Sequence, residues 1–135
     1  MKPNVFLSIF EYACERRELD ARRILDFFEK NNYPIVKKPK QADIILYISC
    51  GIIEKNTEAS LAEIQKYQKY KARLIVGGCA TEIDSSRVQA VHRGEFFSTK
   101  NLGALDVLFP NEEYPFSSIS DANCRHTVLQ KNIWN

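Results

Sequence analysis

Cys14, Cys50 and Cys79 each come directly after an apolar run that reads as a β-strand, and no two of them are close in sequence. If those strands are parallel and share a sheet, their carboxyl ends meet at one edge, where open α/β sheets bind ligands. Thiolates gathered there could hold zinc or an iron–sulfur cluster, since both favour soft sulfur ligands. Structural zinc sites show paired ligands at short spacing, and the chain has no Cys-x-x-Cys or His-x-x-x-His pair, which favours a cluster. Gly51 follows one cysteine and Gly77-Gly78 precede another, so the backbone can bend sharply there and present N–H groups to sulfur. The competing reading is packing: free cysteine is among the most buried residue types, and three cysteines at strand ends can be core residues with no shared site.

The elements that must position these residues follow from apolar spacing. Val5, Phe6, Leu7, Ile9 and Phe10 predict a first strand, with a loop over residues 11–18 that carries Cys14. From Leu19 the helical spacing of Ala21, Ile24, Leu25 and Phe28 predicts a helix that stops at Asn31-Asn32, with Pro34 beyond. Residues 33–36 are a short strand candidate. The almost continuous run Ile44-Ile45-Leu46-Tyr47-Ile48 suits a strand buried on both faces and ends at Cys50-Gly51.

Leu61, Ile64 and Tyr67 place a second helix over residues 54–71, with lysines near its end where the helix dipole favours them. Leu74-Ile75-Val76 makes a third buried strand, stopping at Gly77-Gly78-Cys79. Asp84-Ser85-Ser86 reads as the N-cap of a short helix through Val88 and Val91, Phe96-Phe97 as a short strand, and residues 101–109 as a last helix. The order is strand, helix, strand, strand, helix, strand, helix, strand, helix. Alternation of this kind predicts an α/β fold: a three-layer, open, mostly parallel sheet, flavodoxin- or Rossmann-like, with helices on both faces. From Pro110 the pattern breaks into turn-forming and polar residues, so residues 1–110 are expected to form the domain and residues 111–135 a tail or truncated linker.

With 135 residues, 44% hydrophobic and 27% charged, the composition is that of one soluble domain. No apolar run is long enough to span a bilayer, so no membrane association is expected. The start lacks the apolar core and cleavage site of a signal peptide, which places the thiols in a reducing cytoplasm and makes disulfides unexpected. A net charge of +2 does not by itself make a nucleic-acid binder.

Taken together, the segments over residues 4–110 resemble the N-terminal domain of the radical S-adenosylmethionine methylthiotransferases. The resemblance rests on Cys14 with Asp20 six positions on, on Ala42-Asp43 leading through the apolar strand to Cys50 with Glu54-Lys55 after it, and on Ile75-Val76-Gly77-Gly78-Cys79-Ala80. Gly94 and the helix near Leu105 extend it. In that family three cysteines ligate an auxiliary [4Fe–4S] cluster with one iron left open, so that a sulfur species can bind and be transferred to tRNA or to a ribosomal protein. The resemblance implies that Cys14, Cys50 and Cys79 are cluster ligands. The departures are specific: Ala13 stands where the family usually has Gly, Arg17 where it has Asn, Ile48-Ser49 where it has Asn-Thr, and the loop to Cys14 is about two residues longer. The Cys-x-x-x-Cys-x-x-Cys triplet of the radical domain is missing, as is a visible C-terminal nucleic-acid-binding domain. The chain is therefore expected to need a radical S-adenosylmethionine domain in cis or trans and not to act catalytically alone.

The alternative reading is a non-catalytic binding or regulatory α/β module whose metal site is lost or purely structural; a zinc-bound structural domain is a third. Cys124 and His126 are expected to be incidental, and Arg16, Arg17, Arg22 and Arg23 a solvated helix start rather than an anion site. Lys37, Lys38, Lys40, Lys66, Lys69, Lys71 and Arg73 read as solubilising surface charge, His92 as without a role, and Glu54-Lys55 as a helix start.

Overall fold

The computed structural model describes residues 2–11, 15–98 and 102–119. A sheet of four parallel strands runs β1 (Val5–Ile9), β2 (Ile44–Ser49), β3 (Arg73–Gly78) and β4 (Glu95–Phe96), paired in that order. Among the described residues five helices connect and cover them: α1 (Glu15–Lys30), α2 (Glu54–Tyr67), α3 (Cys79–Ile83), α4 (Ser85–Val91) and α5 (Leu105–Leu108). All six residues of β2 are buried, as the unbroken apolar run requires of a strand covered on both faces. Among the described residues no helix is long and apolar enough to cross a membrane.

The candidate strand at residues 33–36 contracts to one parallel bridge between Ile35 and Val5. Val5 hydrogen-bonds Pro34 and Val36, while the Asn4 carbonyl accepts from Asp43 and Ile44, so Ile35 lies on the side of β1 away from β2. The spatial order is thus Ile35, β1, β2, β3, β4. The winding reverses between β1 and β2, and such a switch point opens a crevice at the carboxyl ends of the strands.

Side-chain alternation sends two sets of residues to two faces. Val5, Leu7, Ile9, Leu46, Ile48 and Ile75 pack with Ile24, Leu25 and Phe28 of α1 and Leu105 of α5. On the other face Phe6, Ile45, Tyr47 and Val76 meet Ile64 and Tyr67 of α2, Ala80 of α3 and Val88 of α4. Helices therefore flank the sheet on both sides, giving the three-layer α/β architecture.

Several boundaries differ from the sequence reading. Helix α1 begins at Glu15 rather than Leu19, because Arg16 and Arg17 pair with Asp20 at 3.5 and 2.6 Å across one turn. Helix α2 ends at Tyr67 rather than at 71, where Gln68 and Tyr70 donate back to Ile64 and Tyr67 in tight turns. Asp84 stands at the N-cap position of α4 but makes no side-chain cap; its carboxylate pairs with Arg87 at 3.1 Å. The helix expected over residues 101–109 is a 3₁₀ turn at Leu102–Ala104 followed by α5.

The segment after Pro110 is described as far as Ile119. Over that stretch Phe116 and Ile119 are buried against α1, the Asn31 side chain exchanges two hydrogen bonds with the Tyr114 backbone, and Asp106 accepts from the Phe116 and Ser117 amides.

Candidate functional site

Strands β2 and β3 run in register through the pair Ser49–Gly78, and Cys50 and Cys79 are the next residues on each. Neighbouring strands lie about 4.8 Å apart, so the two cysteines leave the sheet side by side. Strand β1 reaches the same edge: Ile9 pairs with Ile48, and the Phe10 amide donates to the Ile48 carbonyl at 2.8 Å. Cys14 lies outside the described residues, as do Cys124 and His126. Among the described residues, no group of three or more His, Cys, Asp or Glu is arranged to hold a metal ion.

Two glycines bring the cysteine turns together. Gly78 has φ of +97°, and a Cβ there would stand 2.3 Å from the Ser49 carbonyl oxygen, so only glycine allows β3 to turn into α3 beside β2. At Gly51 a Cβ would fall 2.7 Å from the Ala80 Cα. The Cys50-Gly51 turn is thus pressed against Cys79-Ala80.

Helix α2 holds the Cys50 turn from beneath. The Cys50 amide donates to Ser60 Oγ at 3.0 Å, and the Ser60 hydroxyl donates to the Cys50 carbonyl at 2.9 Å. Asn56 Nδ2, one helical turn before Ser60, donates to Cys50 Sγ at 3.4 Å. Cys50 is buried and Cys79 is half-buried at the start of α3, where Thr81 Oγ1 donates to the Gly78 carbonyl at 2.7 Å. Ser49 Oγ, donating to the Gly77 carbonyl at 2.6 Å, ties the last turns of β2 and β3 together. A sulfur that already accepts an amide N–H is suited to carry negative charge, as thiolate ligands of a metal centre must.

The sequence reading did not single out Asn56, Ser60 or Thr81. Asn56 and Ser60 are four residues apart on the helix that follows Cys50, and that spacing of two polar side chains toward one cysteine was the available signal.

The charged residues near this edge are largely spoken for. Buried Asp20 takes both Arg16 and Arg17, Arg22 pairs with Asp26 at 3.3 Å, and Arg23 donates to the Ile119 carbonyl and stacks over Phe116. Glu54 is more than a helix start: Arg87 Nη1 reaches both of its carboxylate oxygens at 2.8 Å, joining α4 to α2. Arg73 is likewise not mere surface charge. It grips both Glu95 oxygens at 2.6 and 2.5 Å, holds that carboxyl below its usual range chiefly through those hydrogen bonds, and lies over Phe109. His92 is buried against Phe96, with Nε2 3.2 Å from the Glu95 carbonyl.

Residues 7–97, from β1 to just beyond β4, match the model of Uncharacterized protein family UPF0004. The chain belongs to this family. UPF0004 is the N-terminal domain type of the methylthiotransferases, which agrees with the resemblance read from the cysteine contexts.

The chain is 28% identical over 110 residues to the tRNA-2-methylthio-N(6)-dimethylallyladenosine synthase of Aeromonas hydrophila, with 76% of this chain and 23% of that protein covered. Against the enzyme of the same name from Orientia tsutsugamushi (strain Boryong) it is 32% identical, covering 63% and 21%. Against the ribosomal protein uS12 methylthiotransferase RimO of Clostridium perfringens (strain SM101 / Type A) it is 35% identical, covering 56% and 18%. The chain thus spans about a fifth of the length of the curated relatives it matches. No solved structure matches it.

Proposed function

We propose that this UPF0004 domain is the sulfur-carrying module of a methylthiotransferase-like system in the cytoplasm, with Cys14, Cys50 and Cys79 as the three protein ligands of a [4Fe–4S] cluster. The observation that carries the reading is the pairing of Cys50 and Cys79 at adjacent strand ends, beside a switch point, with an amide N–H already directed at Cys50 Sγ. The two described cysteines fit the group: both lie on glycine-bent turns, and the Asn56 side-chain N–H is directed at Cys50 Sγ. Three thiolates on four irons leave one iron open to an exogenous sulfur species, which is the chemistry the cluster supplies when bound.

The chain's own residues orient and shield. Ser60 fixes the Cys50 backbone from both sides, Gly51 and Gly78 let the two turns close, and the Asn56 hydrogen bond stabilises charge on the Cys50 sulfur. Ile52, Ile53 and Ile83, all exposed, follow the two cysteines at this edge and supply apolar surface for a radical S-adenosylmethionine domain in cis or trans. The sulfur acceptor, tRNA or protein, is presented by that larger assembly.

Anaerobic reconstitution followed by iron analysis and Mössbauer spectroscopy tests the reading. The wild-type chain should take up about four irons, and Cys14→Ala, Cys50→Ala or Cys79→Ala should each lose most of that uptake. A Cys50→Ala variant that loads as much iron as wild type sinks the proposal, as does a wild-type chain that loads none.

A further inference from the structure

The α2 face of the sheet holds a cleft that adjoins the cysteine edge and shares Ile53 and Asn56 with it. Between Ile35 and β2 the chain passes through a single 3₁₀ turn, Pro39–Gln41, with no helix in the crossover. Among the described residues, the half of that face over β1 is covered by the flank of α2 and by the crossover residues Val36, Pro39 and Ala42. What remains is a cleft of about 840 Å³, within the range of small-molecule sites.

Its lining is chemically specific. Phe6 and Tyr67 meet edge to face at 6.0 Å, and Tyr47 lies 5.7 Å from Tyr67. Ala59 and Ala62, on the same helix as Tyr67, leave room along α2. The hydroxyls of Ser8 and Tyr67 satisfy each other at 2.8 Å. Tyr47 is 1% exposed, its hydroxyl sealed from solvent with the Ser60 hydroxyl as a polar neighbour. Burial drives its pKa well above the ordinary phenol value, so it stays a neutral O–H donor.

The mouth carries three lysines, Lys37, Lys55 and Lys66, against Glu11 and Glu63. Lys66 is taken by Glu63 at 3.8 Å, while Lys37 and Lys55 make no ion pair among the described residues. An apolar ring can thus sit in the cleft while a negative group stays at the lysines.

We propose that this cleft binds a small planar aromatic molecule bearing a carboxylate or phosphate, its ring beside Phe6 and Tyr67 and its anion at Lys37 and Lys55. Among the described residues no cysteine lines the cleft.

Titration of the ¹⁵N-labelled chain with 1-naphthoate, 1-naphthyl phosphate and neutral 1-naphthol, followed by NMR, tests it. At least one anionic probe should shift amides of β1, Tyr47 and the first three turns of α2, and should bind several-fold more tightly than naphthol. Lys37→Ala and Lys55→Ala should each weaken the anion roughly threefold. Ala59→Phe, at an exposed position on α2, should abolish binding while the spectrum keeps its dispersion. The proposal is overturned if neither anion binds, if naphthol binds as tightly as the anions, or if Ala59→Phe leaves the shifts intact. Shifts gathered instead around Ile83 or Val107 also overturn it.

Discussion

The two faces of this sheet are built from the same alternating strands, yet one is sealed and the other is open. On the α1 face Phe27, Phe28, Phe109 and Phe116 interlock, with Phe27 and Phe28 at 5.1 Å, Phe28 and Phe109 at 5.1 Å, and Phe27 and Phe116 at 5.7 Å. The α2 face has tyrosines instead, a cleft beside β1, and the cysteine turns at its carboxyl edge. The difference teaches where stability and function are separated: the sealed face gains from burial, while the open face keeps polar groups and backbone turns available for binding.

Breaking the sealed face should have the largest effect. Phe28→Ala removes a fully buried ring at the centre of the aromatic set and is expected to cost about 3–5 kcal/mol, read as a lowered urea midpoint. Next comes the cysteine edge. Gly78→Ala forces a Cβ onto the Ser49 backbone at positive φ and should cost about 1–3 kcal/mol. Ser60→Ala removes both hydrogen bonds to the Cys50 backbone and should cost about 1–2 kcal/mol, with faster hydrogen exchange at the Cys50 amide.

A smaller effect is expected at the clasp between β3 and β4. Arg73→Ala should lose up to about 1 kcal/mol, since the bidentate pair with Glu95 is more than a third exposed. Because Arg73 lowers the Glu95 pKa, that contribution is full above the unfolded carboxylate value of about 4.3. It is lost as the pH falls through the lower folded value, so wild type and variant should converge in acid denaturation. A gap that widens toward low pH would show that the clasp acts otherwise. The smallest change belongs to the open face: Tyr47→Phe removes a buried hydroxyl that makes no hydrogen bond of good geometry among the described residues and should leave stability unchanged or raise it by up to about 1 kcal/mol. A large loss there would place Tyr47 Oη in a hydrogen bond and remove the contrast between the faces.

How much could be read from the chain varied with the range of the interactions involved. The unbroken apolar runs of β2 and β3 predict strands covered on both faces, and both form within one or two residues of the expected bounds. The start of α1 is harder to read because its first turn is charged rather than apolar, and the Arg16 and Arg17 pairs with Asp20 carry it. Helix α3 at Cys79 leaves no apolar period in five residues. The packing of Phe116 depends on Asn31 and Asp106, polar residues whose backbone partners lie up to 83 positions away, and composition alone gives such a stretch the look of a loop.

The chain by itself determined the alternation of strands and helices, the placement of Cys50 and Cys79 at strand ends, and the family to which those contexts belong, because burial periodicity and glycine-cysteine turns are local properties of sequence. Only the tertiary structure decided that Ile35 pairs on the outer side of β1, that Gly51 presses against Ala80, that Asn56 and Ser60 hold the Cys50 turn, and that a cleft lies beside Tyr47. Each of these depends on which backbones come within a few ångströms of one another, and that is set by the register and stacking of whole elements.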